Sequence, residues 1–348
     1  MKFILSIIIS ALVLFGCGGE ESEKQNITEE NLYNIDTADI ETSPVENPHQ
    51  SFLMRYKMEL NKDYKYRIAS ISNNSQTLKM DTTISHIVNQ KMIYIINAKP
   101  TEFDKDSIYE VVCTFSSIKL DATANKEVHA YQSGVTKDSA DLLKYANYEA
   151  LVNNPFNLRV DNTGNIVEIY KTDKIISRYL ELQNVKDSVT AEMKNSLREQ
   201  ISQGAIKPLL SQIFRKLPDN MVAKDSLWTI SQQPFPFLVF QLQNNYTYKI
   251  GALEEYDDDR VAVIDAGLDA KISGETKVTE QGLTYEFSKP SSTASGKIYF
   301  NVEEGCVIKS TIKSKTVISF KMEGNTPTGK QKGSRSEVTE FTNIVELL

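Results

Sequence analysis

The chain offers few residues whose type and spacing could do chemistry, and the most telling is a cysteine at a border. Residues 14–24 read LFGCGGEESEK: an apolar run stops at Gly16-Cys17 and a glutamate-rich stretch follows. Ahead of it, Lys2 precedes residues 3–15, which are apolar apart from Ser6 and Ser10. As a helix this run reaches only about 20 Å, short of the roughly 30 Å hydrocarbon core. It reads as the hydrophobic part of a secretory leader, with the thiol of Cys17 placed where the leader ends.

Other candidate chemistries fall away on inspection. Gly324–Gln331 (GNTPTGKQ) nearly spells a phosphate-binding loop, but Gln331 stands where a magnesium-holding hydroxyl belongs. Residues 336–347 alternate like a strand, so no helix N-terminus would face a phosphate. Glu254–Asp259 (EEYDDD) has the hard oxygens that calcium prefers, without the spaced ligands of a calcium loop, and suits a hydrated turn. His49, His86 and His129 are isolated, with no partner at zinc-ligand spacing. No GxSxG nucleophile elbow occurs. The expectation is a protein that is not an enzyme, with no metal and no cofactor. Cys113 and Cys306 both take inward positions in alternating segments; export would allow a disulfide between them, and two buried free thiols are the alternative.

The elements around these residues follow from charge and periodicity. The net charge is −7 with a pI near 5.3. Residues 18–50 hold nine carboxylates against Lys24 alone, whereas residues 51–348 balance 37 acidic with 37 basic groups. A neutral body on an acidic N-terminal stretch gives no electrostatic basis for nucleic-acid binding. The expected plan is a leader at 1–16, an acidic disordered tether at 17–50 and one β-rich body at 51–348. In FLMRYKMEL, Phe52, Met54, Tyr56 and Met58 alternate with Leu53, Arg55, Lys57 and Glu59, predicting a first strand whose apolar face meets the core or a ligand. Strand patterns continue to residue 137 and return from 218 to 348, flanking a helical segment at 138–217 in which Gly204 is expected to stop a helix. Within Ser310–Met322, Ile312, Ile318, Phe320 and Met322 share one face, opposite Lys309, Lys313, Lys315 and Lys321. FNLRVDNTGNIVEIYK (156–171) and GKIYFNVEEGCVIKSTIK (296–313) echo one another as strand, acidic turn, glycine, strand. The fold class expected is α+β, mainly β: a curved antiparallel sheet or half-barrel with a central helical segment packed against it.

Leu14-Phe15-Gly16-Cys17 resembles a bacterial lipobox. That resemblance implies cleavage between Gly16 and Cys17, a diacylglyceryl group on the thiol and an acylated new amine. The lipobox, the LNKDYKYRI segment, the hairpin at 156–170, the LPDNMVAKDSLW stretch and the closing meander together look like an uncharacterised family of Gram-negative lipoproteins. More weakly, the plan is similar to half-barrel lipoprotein carriers and lipid-binding lipoproteins. These likenesses imply an outer-membrane lipoprotein of the cell envelope, periplasmic or surface-exposed, held by its lipid. They imply a body that binds a lipid or other apolar molecule, or alternatively an adaptor that presents a surface to an envelope protein.

Overall fold

The computed structural model describes residues 31–185, 188–280, 282–326 and 329–348. It is mainly β, as the alternation predicts. A short strand β1 (Ser43–Pro44) precedes the first meander, which comprises β2 (Tyr64–Lys79), β3 (Thr83–Phe103), β4 (Ile108–Ala124), β5 (Glu127–Gln132), β6 (Phe156–Asp161) and β7 (Ile166–Tyr170). The second comprises β8 (Leu227–Ser231), β9 (Phe235–Phe237), β10 (Phe240–Tyr256), β11 (Asp259–Gly274), β12 (Lys277–Glu280), β13 (Leu283–Phe287), β14 (Ser291–Asn301), β15 (Cys306–Thr326) and β16 (Gly329–Leu347). All lie in one antiparallel sheet of order β1-β10-β11-β14-β15-β16-β2-β3-β4-β6-β7, with the remaining strands beside β4, β10, β13 and β15. The C-terminal strand β16 pairs with both β15 and β2, so it welds the two meanders into a single surface.

That surface is rolled. The Tyr56 ring meets Phe300 of β14 at 5.5 Å between centroids, while its carbonyl accepts from the Tyr109 hydroxyl of β4 at 3.5 Å. Five ladder steps separate β14 from β4, roughly 24 Å on a flat sheet. One residue touching both requires an inner and an outer face.

Parity is held by bulges. Along β4, Tyr109, Val111, Cys113 and Phe115 are buried at odd positions, and Ile118, Leu120 and Ala122 at even ones. The switch falls at Ser116, the extra residue where the β3–β4 register shifts. Without it the upper half of β4 would turn its apolar side chains outward. The Ile250/Ala252 shift in β10 likewise keeps both Ile250 and Leu253 in the core.

The helical segment contributes α1 (Ser139–Lys144), α2 (Ala146–Glu149), α3 (Asp173–Leu182), α4 (Ala191–Glu199) and α5 (Lys207–Ile213). Gly204 does not stop a helix: it lies in a π-helical stretch, Gln200–Ile206, that carries α4 into α5. Ile206, Leu210 and Ile213 are fully buried against the inner face, and that burial outweighs the glycine's entropy.

Two expectations about the N-terminal region are corrected. Residues 51–60 are extended and bury Phe52, Met54, Tyr56 and Met58, but they form no sheet strand; Phe52 makes a single bridge to Val222. The segment crosses the inside of the roll. The Tyr56 N–H donates to Asn162 in the β6–β7 turn at 2.8 Å, and the Lys57 N–H to Gly305 in the β14–β15 turn at 3.1 Å. The two hairpins that echo one another in sequence thus clasp it from opposite sides.

Residues 31–50, assigned by composition to a free tether, lie on the outer face instead; residues 17–30 fall outside the described part. Tyr33 bonds Ser117 of β4, and Leu32, Tyr33 and Ile35 cover Ala69, Ile93, Ile95 and Ile344. Asp36 reaches Lys309 of β15, Asp39 reaches Lys297 of β14, and Ile40 covers Val261, Val263 and Tyr299. Thr42 meets Glu254, and β1 pairs with β10. The chain crosses the roll outside as a strap, rounds the β10 edge and returns through the inside. Charge was the misleading feature, because two of its carboxylates, Asp36 and Asp39, pair with lysines of the outer face.

Candidate functional site

The apolar floor of the roll is a row that reads, from β10 to β4, Ile250, Ile264, Ile298, Ser310, Val345, Ile68, Tyr94 and Ile118. The helices, Phe52, Met54, Tyr56 and Met58 fill the space against and below it. The four residues expected to face a ligand are therefore buried core, 0–6% exposed.

Above the floor the same face opens. The next row is Tyr248, Ala266, Gly296, Ile312, Asn343, Ser70, Met92 and Leu120. The one beyond is Tyr246, Leu268, Ala294, Ser314, Phe341, Ser72, Gln90 and Ala122. From β14 onward a third continues with Ser292, Thr316, Thr339, Asn74, Val88 and Ala124. None of these residues is charged. Ile312, Leu268, Ala294, Ser314 and Phe341 are half-buried, so solvent reaches them. Rows two residues apart are about 6.7 Å apart, which makes an uncharged trough roughly 13 Å long. The outer face over the same span carries Asp265, Asp269, Lys297, Lys313, Lys315 and Glu340. In β15 the segregation was legible in the sequence; across eight strands it was not, because pairing partners lie far apart in the chain.

One cation sits at the floor. Arg215, just after α5, gives its backbone N–H to the Tyr56 hydroxyl at 2.7 Å and its guanidinium to the Ser310 hydroxyl at 3.1 Å. Its Nε is buried and without a hydrogen-bond partner. Among the described residues no carboxylate pairs with it. Burial pushes the hydroxyls of Tyr56, Tyr66 and Tyr94 above the ordinary tyrosine value, so all three stay neutral around the floor.

The remaining sequence candidates sit elsewhere. Gly16 and Cys17 lie outside the described residues. Cys113 in β4 and Cys306 in β15 are both buried and free, separated in the sheet by β16, β2 and β3, so the candidate disulfide is absent. Burial raises both thiols, Cys306 to about 12, which removes thiolate reactivity. Asp257 and Asp258 form a two-residue hairpin turn with positive φ at both, and acidic oxygens there stay in water. The phosphate-loop look-alike lies where β15 and β16 pair down to Thr326 and Gly329, and residues 327–328 are outside the described part. Among the described residues no group of three or more His, Cys, Asp or Glu side chains could hold a metal, and no helix is long and apolar enough to cross a membrane. Two surface depressions lie away from the trough. One, about 640 Å³, is lined by Lys79, Lys277, Lys321 and Lys332 with Glu286 and Glu323. The other, about 410 Å³, runs beside Trp228, which stacks on Tyr248 at 5.2 Å.

The sequence model of DUF6263, a family of unknown function, matches residues 106–307. The chain belongs to this family. The DUF6263 match opens just before β4 and closes just inside β15, so it takes in the helical segment and Arg215 and leaves out the strap and β16. No curated protein matches the chain. Among solved structures, one on lipid–protein interactions in lipovitellin aligns at 10% identity and a TM-score of 0.42, covering 84% of this chain and 25% of that one. The Pseudomonas aeruginosa proteins OccK2 (OpdF) and OpdQ align at 8% and 7% identity, both with a TM-score of 0.19, over 82% and 80% of this chain and 99% of theirs. The chain spans a quarter of the lipovitellin chain, and likeness at these scores carries no functional weight.

Proposed function

We propose that this DUF6263 protein is an envelope lipoprotein, held to a membrane through acylated Cys17, whose trough receives a lipid or another molecule with a large apolar part. The observation that supports the reading is the absence of charge from two partly open rows across eight strands and a third across six, beside an outer face rich in lysine and carboxylate. Leaving Ile312, Leu268 and Phe341 half-covered forgoes part of the ~1.5–3 kcal/mol that full burial of each would contribute, and an occupant would recover it. The ligand is assigned to the open rows, because the floor is already filled.

The test replaces a half-exposed trough hydroxyl with a charge. Ser314→Glu is expected to abolish co-purification of an apolar molecule in native mass spectrometry while leaving the thermal midpoint nearly unchanged. Equal occupancy in wild type and variant, or none in either, overturns the reading. A second reading, an adaptor role, is favoured by the edge strand β8, where Leu227 is 73% exposed beside Met221 at 62%; it takes over if the trough stays empty.

A further inference from the structure

Arg215 is an unusual residue to place on the floor of an uncharged trough. A guanidinium stays charged at every accessible pH, so the protein cannot relieve its burial by releasing a proton. Its partners are a neutral hydroxyl, Ser310, and at longer range the Tyr246 hydroxyl, which feels its charge from β10. Ser310 and Tyr94 are the only residues in the floor row with a polar side-chain atom, so the sequence supplies one short hydroxyl where the guanidinium lands. Nε points at no acceptor. Other arginines of the roll have their donors taken up: Arg67 by Glu346, Arg159 by Glu110 and Asp104, and Arg55 by the Met54, Pro218 and Asp219 carbonyls. An unmatched fork of donors beneath half-buried apolar side chains is complementary to an anion that carries a hydrocarbon tail.

We propose that Arg215 anchors the anionic head of an amphipathic ligand, a carboxylate or a phosphate monoester on an acyl chain, with the chain lying along Ile312, Ala294, Leu268 and Phe341. The inference rests on the trough reading and adds the ligand's charge and orientation within the open rows: head at their floor end, beside Arg215, and tail toward the far rim. The Arg215 backbone is fixed independently of any ligand, through its N–H to Tyr56 and its carbonyl beside Gly164, so the guanidinium is presented from a rigid base.

The experiment uses the full chain, lipidated and reconstituted in nanodiscs, with a photoactivatable diazirine palmitate and its methyl ester as paired probes. Cross-links are mapped by mass spectrometry. The acid is expected to label the trough rows at least about tenfold more efficiently than the ester, since a hydrogen bond to a charged group in such a site is worth that much. Arg215→Gln is expected to remove the advantage without lowering ester labelling, and Arg215→Lys to keep part of it. A diazirine lysophosphatidate run alongside tells whether carboxylate or phosphate is the preferred head. Equal labelling by acid and ester in the wild-type chain overturns the role of Arg215 and leaves the trough reading standing. So does an advantage that survives in Arg215→Gln. No labelling of the trough by either probe sinks both. The wild-type comparison needs no variant, so a poorly folding substitution does not blunt the test.

Discussion

The Tyr56 hydroxyl accepts the Arg215 N–H at 2.7 Å and donates to the Ile213 carbonyl at 2.9 Å, joining the inner segment to the end of α5 through one buried oxygen. The ring itself is wedged between Phe214 and Phe300, each 5.5 Å away. Tyr56→Phe keeps the ring and strands two backbone groups, so it is expected to cost ~1–3 kcal/mol in urea unfolding. A loss no larger than experimental error would show that water replaces the hydroxyl.

Gly305 is expected to tolerate no side chain. Its φ is +62, and an added Cβ would collide with the Arg55 carbonyl and the Lys57 N–H, the group Gly305 accepts from. Gly305→Ala therefore opens one side of the clasp on residues 51–60. The expected loss is several kcal/mol, with faster hydrogen exchange at Lys57 as the local signature. Unchanged protection at Lys57 would count against the clasp.

On the outer face, Arg67 and Lys309 share the Glu346 carboxylate, Arg67 at 2.6 Å and Lys309 at 3.6 Å, and Lys309 also meets Asp36 of the strap at 2.6 Å. Glu346→Gln leaves the buried Arg67 without a carboxylate and Lys309 with Asp36 alone, and is expected to cost about 3 kcal/mol. Replacing Arg67, Glu346 and Lys309 together by methionine is expected to cost less than that single change. Denaturation curves of the two variants decide it.

Strap docking should be acid-sensitive. Burial raises the Asp36 pKa, but the hydrogen bond and charge of Lys309, the Ala38 N–H and Arg67 outweigh it and hold the carboxyl below its ordinary 3.8. A depressed carboxylate stabilises the folded state at full strength above that ordinary value and loses the contribution as pH falls through the lower, folded one. Amide spectra of residues 31–45 are expected to stay docked at pH 5 and to shift toward free positions only below about 4. Asp36→Asn should show the released spectrum, or a weakened one, at neutral pH. Identical acid profiles for wild type and variant would remove Asp36 from the account.

Cys17→Ser tests the anchor. Uncleaved precursor is expected in place of mature protein, because under the proposed lipidation an acylated thiol is required for cutting at this border. Three acyl chains at about 0.8 kcal/mol per buried CH₂ make attachment effectively permanent, so mature-length Cys17→Ser protein still sedimenting with membranes would refute the lipobox assignment.

Much of the architecture was legible because one face of most strands is buried, and period two survives wherever that holds. The upper half of β2, Ser70–Lys79, was not legible: apart from the buried Ser72 both faces reach water there, and Ser, Asn, Gln and Thr leave no alternation to follow. Leu32, Tyr33, Ile35, Ile40 and Val45 were visible in the acidic stretch, but their irregular spacing matches neither helix nor strand, since a strap crossing strands follows their separation rather than its own periodicity. Arg215 could not be singled out, because its meaning depends on Ser310, 95 residues away.

The strap grips the roll at Ser117 of β4 and again at Glu254 of β10, passing over the strands between, while residues 51–60 hold the two turns together within. Like a girth around a barrel stave, it sets a maximum arc for the sheet. Anything that spreads the trough must stretch this girth or slip its buckles at Asp36 and Asp39, so the bore of the roll is governed from outside, by a length of chain that itself takes no part in the trough.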